Sequence, residues 1–166
     1  MALEELERLA RRVEEREGIR VYIVEPGVLR DAALALLDAG YDMLLSLSGV
    51  DEPKRSRIRL VYHFARSSSP GDVVALETAV SYERPMAPSI HDIYPAAQLQ
   101  EREEHEMLGV VFEDNPDLRH LLLPEDWPHG VHPLRKSFRV AEEPFTSPTP
   151  SKPLEELKKK LGEEAG

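Results

Sequence analysis

Residues 57–82 read Arg57-Ile-Arg-Leu-Val-Tyr-His-Phe64, then Ala65-Arg-Ser-Ser-Ser-Pro-Gly-Asp72, then Val73-Val-Ala-Leu-Glu-Thr-Ala-Val-Ser-Tyr82. In the first run Ile58, Leu60, Tyr62 and Phe64 alternate with Arg57, Arg59 and His63, the period-2 pattern of a strand with one apolar face. The Ser67–Gly71 stretch is a loop by composition, so the two runs form an antiparallel hairpin. Working toward the N-terminus, Asp42 to Val50 reads as a third strand. Residues 28–39 place Val28, Leu29, Ala32, Ala33, Leu36 and Leu37 at helical spacing, with Gly40 as the stop. Ile19 to Glu25 is a β-branched, aromatic strand ended by Pro26-Gly27. Residues 2–17 carry Leu3, Leu6, Leu9, Ala10 and Val13 among Glu and Arg, an expected amphipathic helix ending at Gly18. The expected order α-β-α-β-β-β describes an α+β fold: a small, mostly antiparallel or mixed sheet with helices packed on it.

Toward the C-terminus the pattern changes. A third helix is expected over about 96–108, with Gly109 past its end. Residues 113–150 then hold seven prolines and little periodicity, which suits neither a ladder nor a long helix. Yet Leu118, Leu121, Leu122, Leu123, Trp127, Leu134 and Phe138 lie there, too much apolar surface for a solvated linker. The segment is expected to lie against its own domain or a partner. Residues 154–161 (LEELKKKL) read as a short helix with one apolar face. The expected division is a domain over 1–110, an extended Pro-rich docking arm over 111–150 and a helix or tail over 151–166.

Composition narrows the chemistry. The chain has 166 residues, 21 Lys+Arg against 31 Asp+Glu, and a formal net charge of −10. That balance argues against phosphate-neutralising nucleic-acid binding. With no cysteine, disulfides, cysteine nucleophiles and iron–sulfur ligation by this chain are excluded. No apolar run approaches a membrane span, and the N-terminus is charged from its fourth residue, unlike a secretory signal. A single Asn, two Gln and abundant Glu and Arg are what heat selects for, so a thermophilic source is expected.

Two clusters are candidates for chemistry. In Glu101-Arg-Glu-Glu-His-Glu106, helical spacing puts Leu99, Arg102, Glu103 and Glu106 on one face and pairs Glu101 with His105. The plain reading is a solvated helix face. A carboxylate-bridged metal site would need Glu-x-x-His on facing helices, and no second copy exists. A desolvated charge network against another protein is the third reading, with Arg102 making bidentate contacts. His120, His129 and His132 lie close together along the chain, but a Pro/Gly loop does not fix zinc-ligand geometry, and no metal is expected. Neither a Gly-x-Ser-x-Gly elbow nor a glycine-rich phosphate loop is present. No active site emerges from the residues alone.

The arm nevertheless carries an ordered series of blocks: Glu101-Arg-Glu-x-x-Glu-Met-Leu-Gly109, Phe112, Asn115-Pro-Asp-Leu-Arg119, Leu123-Pro-Glu-Asp-Trp127 and His132-Pro-Leu-Arg-Lys136. The series resembles the C-type subunit of respiratory complex I, the thirty-kilodalton subunit family of NADH:quinone oxidoreductase. The resemblance implies a non-catalytic subunit of the peripheral arm, with no cofactor of its own. It implies iron–sulfur clusters, and flavin or nickel–iron, in neighbouring chains. Its implied partners are the large, hydrogenase-like D-type subunit and the iron–sulfur subunits of B and I type, on the cytoplasmic side of the membrane. It further implies an interface made by Glu101, Arg102, Glu103, Glu106, Asp117, Arg119, Pro124, Asp126, Trp127, His132, Pro133, Leu134 and Arg135, with Arg102, Arg119 and Arg135 expected in desolvated ion pairs. Several positions depart from the family pattern: Gln100, Leu108, Asn115, His120 and a longer spacer after Trp127. They lean toward the related energy-converting [NiFe]-hydrogenases and sulfur-reducing complexes. The competing classes are a free-standing adaptor and a small hydrolase using His91, His105 or His132.

Overall fold

A computed structural model describes residues 2–140; the helix expected over 154–161 lies outside the described residues. The elements are α1 (Ala2–Leu9), β1 (Arg12–Arg16), β2 (Ile19–Ile23), α2 (Leu29–Asp38), β3 (Met43–Glu52), β4 (Arg57–Arg66), β5 (Ser69–Ser81), β6 (Met86–Pro88), α3 (Ala97–Leu108) and β7 (Val111–Glu113). Five strands form one sheet in the order β1-β2-β5-β4-β3, and β6 and β7 form a separate two-stranded sheet. The central β4–β5 hairpin is antiparallel, with Tyr62 opposite Leu76 and Leu60 opposite Thr78. The β2–β5 pair is parallel, so the fold is α+β with a mixed sheet.

Two expectations need correction. The helix expected over 2–17 stops at Leu9, and residues 12–16 form the edge strand β1. The cause is the turn: Glu17 and Gly18 both have positive φ, at 52° and 81°, the geometry of a two-residue hairpin. That hairpin places Val13 opposite Tyr22, and pairing overrides the helix preference of Glu and Arg. The loop expected over 67–71 is also shorter, because β5 begins at Ser69 and pairs that residue with Arg66.

One sheet face holds the core. Tyr22, Ile58, Leu60, Tyr62, Phe64 and Leu76 are fully buried against Leu6, Leu29, Leu36, Ile90 and Phe112. Phe64 and Tyr94 meet with ring centroids 4.8 Å apart and tilted, a favourable aromatic arrangement. Tyr94 donates its hydroxyl to the Tyr41 carbonyl at 2.7 Å, which ties the 89–96 segment to the end of α2. The other sheet face carries charge. Arg16 and Arg59 both donate to Glu77, at 2.7 and 3.1 Å, and Arg57 and Arg59 both donate to Glu52, at 2.6 and 3.1 Å. This chain of pairs crosses the sheet from β1 to β3.

Sheet edges invite unwanted pairing unless blunted. β1 does this with charge. β3 does it with α3, which runs along its free edge: Leu47 N–H donates to the Gln100 side chain, and Glu104 lies beside Gly49. Four helical residues advance about 6 Å and two strand residues about 6.6 Å. Gln100 and Glu104 therefore keep step with the outward N–H groups of Leu47 and Gly49.

Candidate functional site

The C-terminal end of α3 is where the recognisable blocks meet. A helix leaves its last four carbonyls without internal partners. Here Gly109, at φ 76°, donates its N–H to the His105 carbonyl at 2.8 Å. The Glu106 carbonyl accepts from His132 Nδ1 at 2.9 Å. The Met107 carbonyl accepts from the Leu134 N–H at 3.1 Å, and the Leu108 carbonyl from Arg135 Nε at 2.6 Å. The His-Pro-Leu-Arg block is thus the cap of a helix that ended far back along the chain, at Leu108. A carbonyl can only accept, so His132 carries its proton on Nδ1.

The side of α3 facing the 115–123 segment is held by two residues. Arg102 donates to Asp117 at 3.0 Å and to the backbone carbonyls of Arg119 and His120. Glu106 accepts the N–H groups of three consecutive residues, Leu121 at 3.1 Å, Leu122 at 2.9 Å and Leu123 at 2.9 Å, and His120 Nδ1 at 3.1 Å. Burial by itself pushes the Glu106 carboxyl up, but the N–H groups of Leu122, Leu123 and Leu121 outweigh it and hold the group below the usual carboxylate range. Asp117 is held far below that range, first by the Arg119 side chain and then by its N–H.

Glu101 faces the other way. It is fully buried, accepts from Ile90 N–H and Asn115 Nδ2, each at 2.8 Å, and receives the Ser89 hydroxyl. Burial raises its carboxyl despite those donors. It does not pair with His105, which instead donates Nδ1–H to the Val110 carbonyl at 2.8 Å. Nor do Leu99, Arg102, Glu103 and Glu106 form one continuous patch: Leu99 and Glu103 point to solvent, while Arg102 and Glu106 are covered by the arm.

Of the remaining expected site residues, Arg135 also reaches Asp51 at 3.4 Å and lies over the Tyr82 ring, 4.6 Å from its centroid. Trp127 donates Nε1–H to the Val131 carbonyl at 2.8 Å and meets Phe138 with centroids 6.3 Å apart. Pro133 is half-buried, and Pro124, Asp126 and Arg119 are exposed. Leu122 and Leu134 are 61% and 57% exposed and, with Leu121, give the arm an outward apolar surface. Among the described residues no group of three His, Asp or Glu is placed to hold a metal ion.

Sequence reading missed Asp51, which is buried and accepts from Lys136 N–H at 2.6 Å, from Arg135 and from the Tyr82 hydroxyl. It also missed Glu104. That side chain is buried, its Oε2 has no hydrogen-bond partner among the described residues, and burial raises it to about 7. The Gly49 backbone N–H opposes that shift without reaching hydrogen-bond geometry at Oε2.

Residues 22–144 match the model of the respiratory-chain NADH dehydrogenase 30 kDa subunit family. The chain belongs to that family. Similar relatives include the C-type NADH-quinone oxidoreductase subunit of Moorella thermoacetica, 38% identical over 148 residues that cover 85% of this chain and 95% of that one. The fused C/D-type NADH-quinone oxidoreductase chain of Gluconacetobacter diazotrophicus is 36% identical over 158 residues, covering 85% of this chain and 25% of the fusion. The match to the C-type subunit of Salinispora tropica is 38% identical and covers 65% of this chain but only 44% of that longer protein. Among solved structures, a chain of an archaeal membrane-bound sulfane sulfur reductase, a respiratory membrane complex, superposes with a TM-score of 0.70 at 26% identity, covering 96% of this chain and 89% of the other. The capped helix and the Glu106 clasp lie within the residues matched, 22–144.

Proposed function

We propose that this chain is a non-catalytic peripheral subunit of a complex I-like membrane-bound oxidoreductase, seated on a large D-type subunit through its arm. The observation that carries the reading is the fused relative. In Gluconacetobacter diazotrophicus a segment similar to 85% of this chain belongs to a C/D-type chain, and fusion keeps two chains side by side. The arm supplies a suitable surface, with exposed Leu121, Leu122 and Leu134 beside the exposed Arg119. On this reading Arg102, Glu106 and Arg135 act from behind: their bonds are made within the chain, and they shape the surface that the partner meets. Glu103, Pro124 and Asp126 are exposed and belong to the contact itself.

The redox groups on this reading sit in neighbouring chains: iron–sulfur clusters in B- and I-type subunits, with flavin or nickel–iron according to the complex. No described helix is long and apolar enough to cross a membrane, and attachment to the cytoplasmic face through the complex is part of the proposal. A sulfur-reducing or hydrogenase-type assembly is the second reading, favoured by the structural match over 96% of the chain. Donor and acceptor belong to other chains in either case.

Affinity purification of the tagged chain from gently solubilised membranes, followed by mass spectrometry, tests the proposal. A D-type large subunit in stoichiometric amount is the expected result. A flavin/NADH module beside it marks complex I, and a large subunit with nickel ligands marks the hydrogenase type. Recovery of the chain alone overturns the proposal.

A further inference from the structure

β5 is a long strand with a short neighbour. It spans Ser69–Ser81, but β2 pairs only with Val74–Glu77, and the last contact on that side is Val24 N–H to the Glu77 carbonyl at 2.9 Å. Beyond it the chain turns away at Pro26. The far side of β5 stays paired with β4 through Ser81, and Tyr82 N–H continues that ladder to the Ser56 carbonyl. Backbone groups alternate in direction along a strand. Since the Glu77 carbonyl points toward β2, the N–H and C=O of Ala79 and Ser81 point the same way. Among the described residues they have no hydrogen-bond partner.

This open edge has a cavity on each side of it. One, of about 550 Å³, has Pro26, Val80, Met86 and Pro88 as its apolar lining and Glu25, Arg84 and Glu113 as its charged residues. The other, of about 310 Å³, is lined on the charged face of the sheet by Arg11, Arg55 and Arg57 together with Glu25 and Glu77. Ala79, Val80 and Ser81 line both. Unpaired N–H and C=O groups on a strand edge are matched by another extended backbone, and successive side chains of such a strand point to opposite faces. One cavity suits an apolar side chain. In the other, three guanidiniums outnumber the carboxylates of Glu25 and Glu77, and it suits an acceptor, Asp or Glu, because each guanidinium has five donors and its present pairs use only some of them.

We propose that the Ala79–Ser81 edge receives an extended segment of another subunit, which continues the line of β2 and places alternate apolar and acidic side chains in the two cavities. The proposal rests on the reading of this chain as part of a larger assembly, and it assigns a second contact separate from the arm.

A benzophenone side chain replacing Ser81 in the intact complex tests it, with a second probe replacing the exposed Leu122 of the arm. The expected result is a crosslink from position 81 to a segment of another subunit with alternating apolar and acidic residues. The Ala79 and Ser81 amides should also exchange at least ~10-fold more slowly in the complex than in the isolated chain. A crosslink from position 122 with none from position 81 overturns this inference and leaves the assembly reading intact. Crosslinking of position 81 only to residues 141–166 of the same chain overturns it as well, by naming a different occupant. Absence of crosslinks from both positions overturns both readings.

Discussion

Glu104 sits where a carboxylate is costly, on the inner side of α3 with Oε2 sealed from solvent and unpartnered among the described residues. Its folded pKa, raised by burial from 4.5 to about 7, sets the sign. A raised carboxyl leaves the folded state unpenalised below the ordinary value and fully penalised above the raised one. Stability attributable to this residue therefore falls as pH climbs from about 4.5 to 7, by roughly 3 kcal/mol on the linkage scale. Glu104→Gln should match the parent near pH 4 and exceed it by about that amount at pH 8. Urea unfolding of both proteins at the two pH values measures the difference, and equal stabilities at pH 8 would refute it. Gly49 is the counterpart: a Cβ there would lie 2.2 Å from Leu108 Cδ1 and 2.3 Å from Glu104 Oε2. Gly49→Ala should lower stability by about 1–3 kcal/mol, visible as a lower Tm. Neither residue was legible in the sequence. Glu104 stands among four other charges on a helix that looks solvated, and its burial comes from the β3 edge, far back along the chain. Asp51 was hidden for the same reason, since its partners Arg135 and Lys136 are equally remote in sequence.

Secondary-structure elements with one dominant period were readable, and those defined by a partner were not. The β4–β5 hairpin and α2 follow from alternation and from helical spacing. β1 does not, because Arg-Val-Glu-Glu-Arg has a single apolar residue and becomes a strand only when β2 is present to pair with it. The arm shows the same division. Its apolar content foretold packing against something, and the described part, through residue 140, packs on the chain's own α3. The Glu106 carboxylate is the test of that contact. Glu106→Ala strands three N–H groups and should cost about 2–4 kcal/mol, with amide exchange at Leu121–Leu123 accelerated in step. Unchanged exchange there would show that the segment is held by other means. Because this carboxyl is held below its ordinary value, its stabilisation is fully present above about 4.5 and is lost as pH falls through the lowered folded value. Acid should therefore loosen residues 121–123 in the parent and leave Glu106→Ala indifferent.

For the molecule as a whole, the sheet divides two kinds of stabilisation. Its inner face is an aromatic and aliphatic core, and its outer face is a line of ion pairs through Arg16, Glu77, Arg59, Glu52 and Arg57. Glu77 is the central member, with its side chain only 8% exposed between two guanidiniums. Glu77→Gln removes the counter-charge that Arg16 and Arg59 share, leaving each its other partner, Glu14 and Glu52, and should cost about 1–3 kcal/mol. Networks of this type lose less to desolvation as temperature rises. The penalty from Glu77→Gln should accordingly persist in thermal melts at high salt, whereas that from Arg11→Ala, an exposed pair with Glu25, should vanish into the noise.

The bond between Asp51 and the Lys136 N–H spans 85 residues, and its consequence is temporal. Contacts of such separation close large loops and form late. During synthesis the last turn of α3 and the buried Asp51 carboxylate wait for residues 132–136 to clear the ribosome. Until then the nascent chain presents three bare helix carbonyls and a buried carboxylate short of two of its donors. That interval is when a chaperone has most to hold.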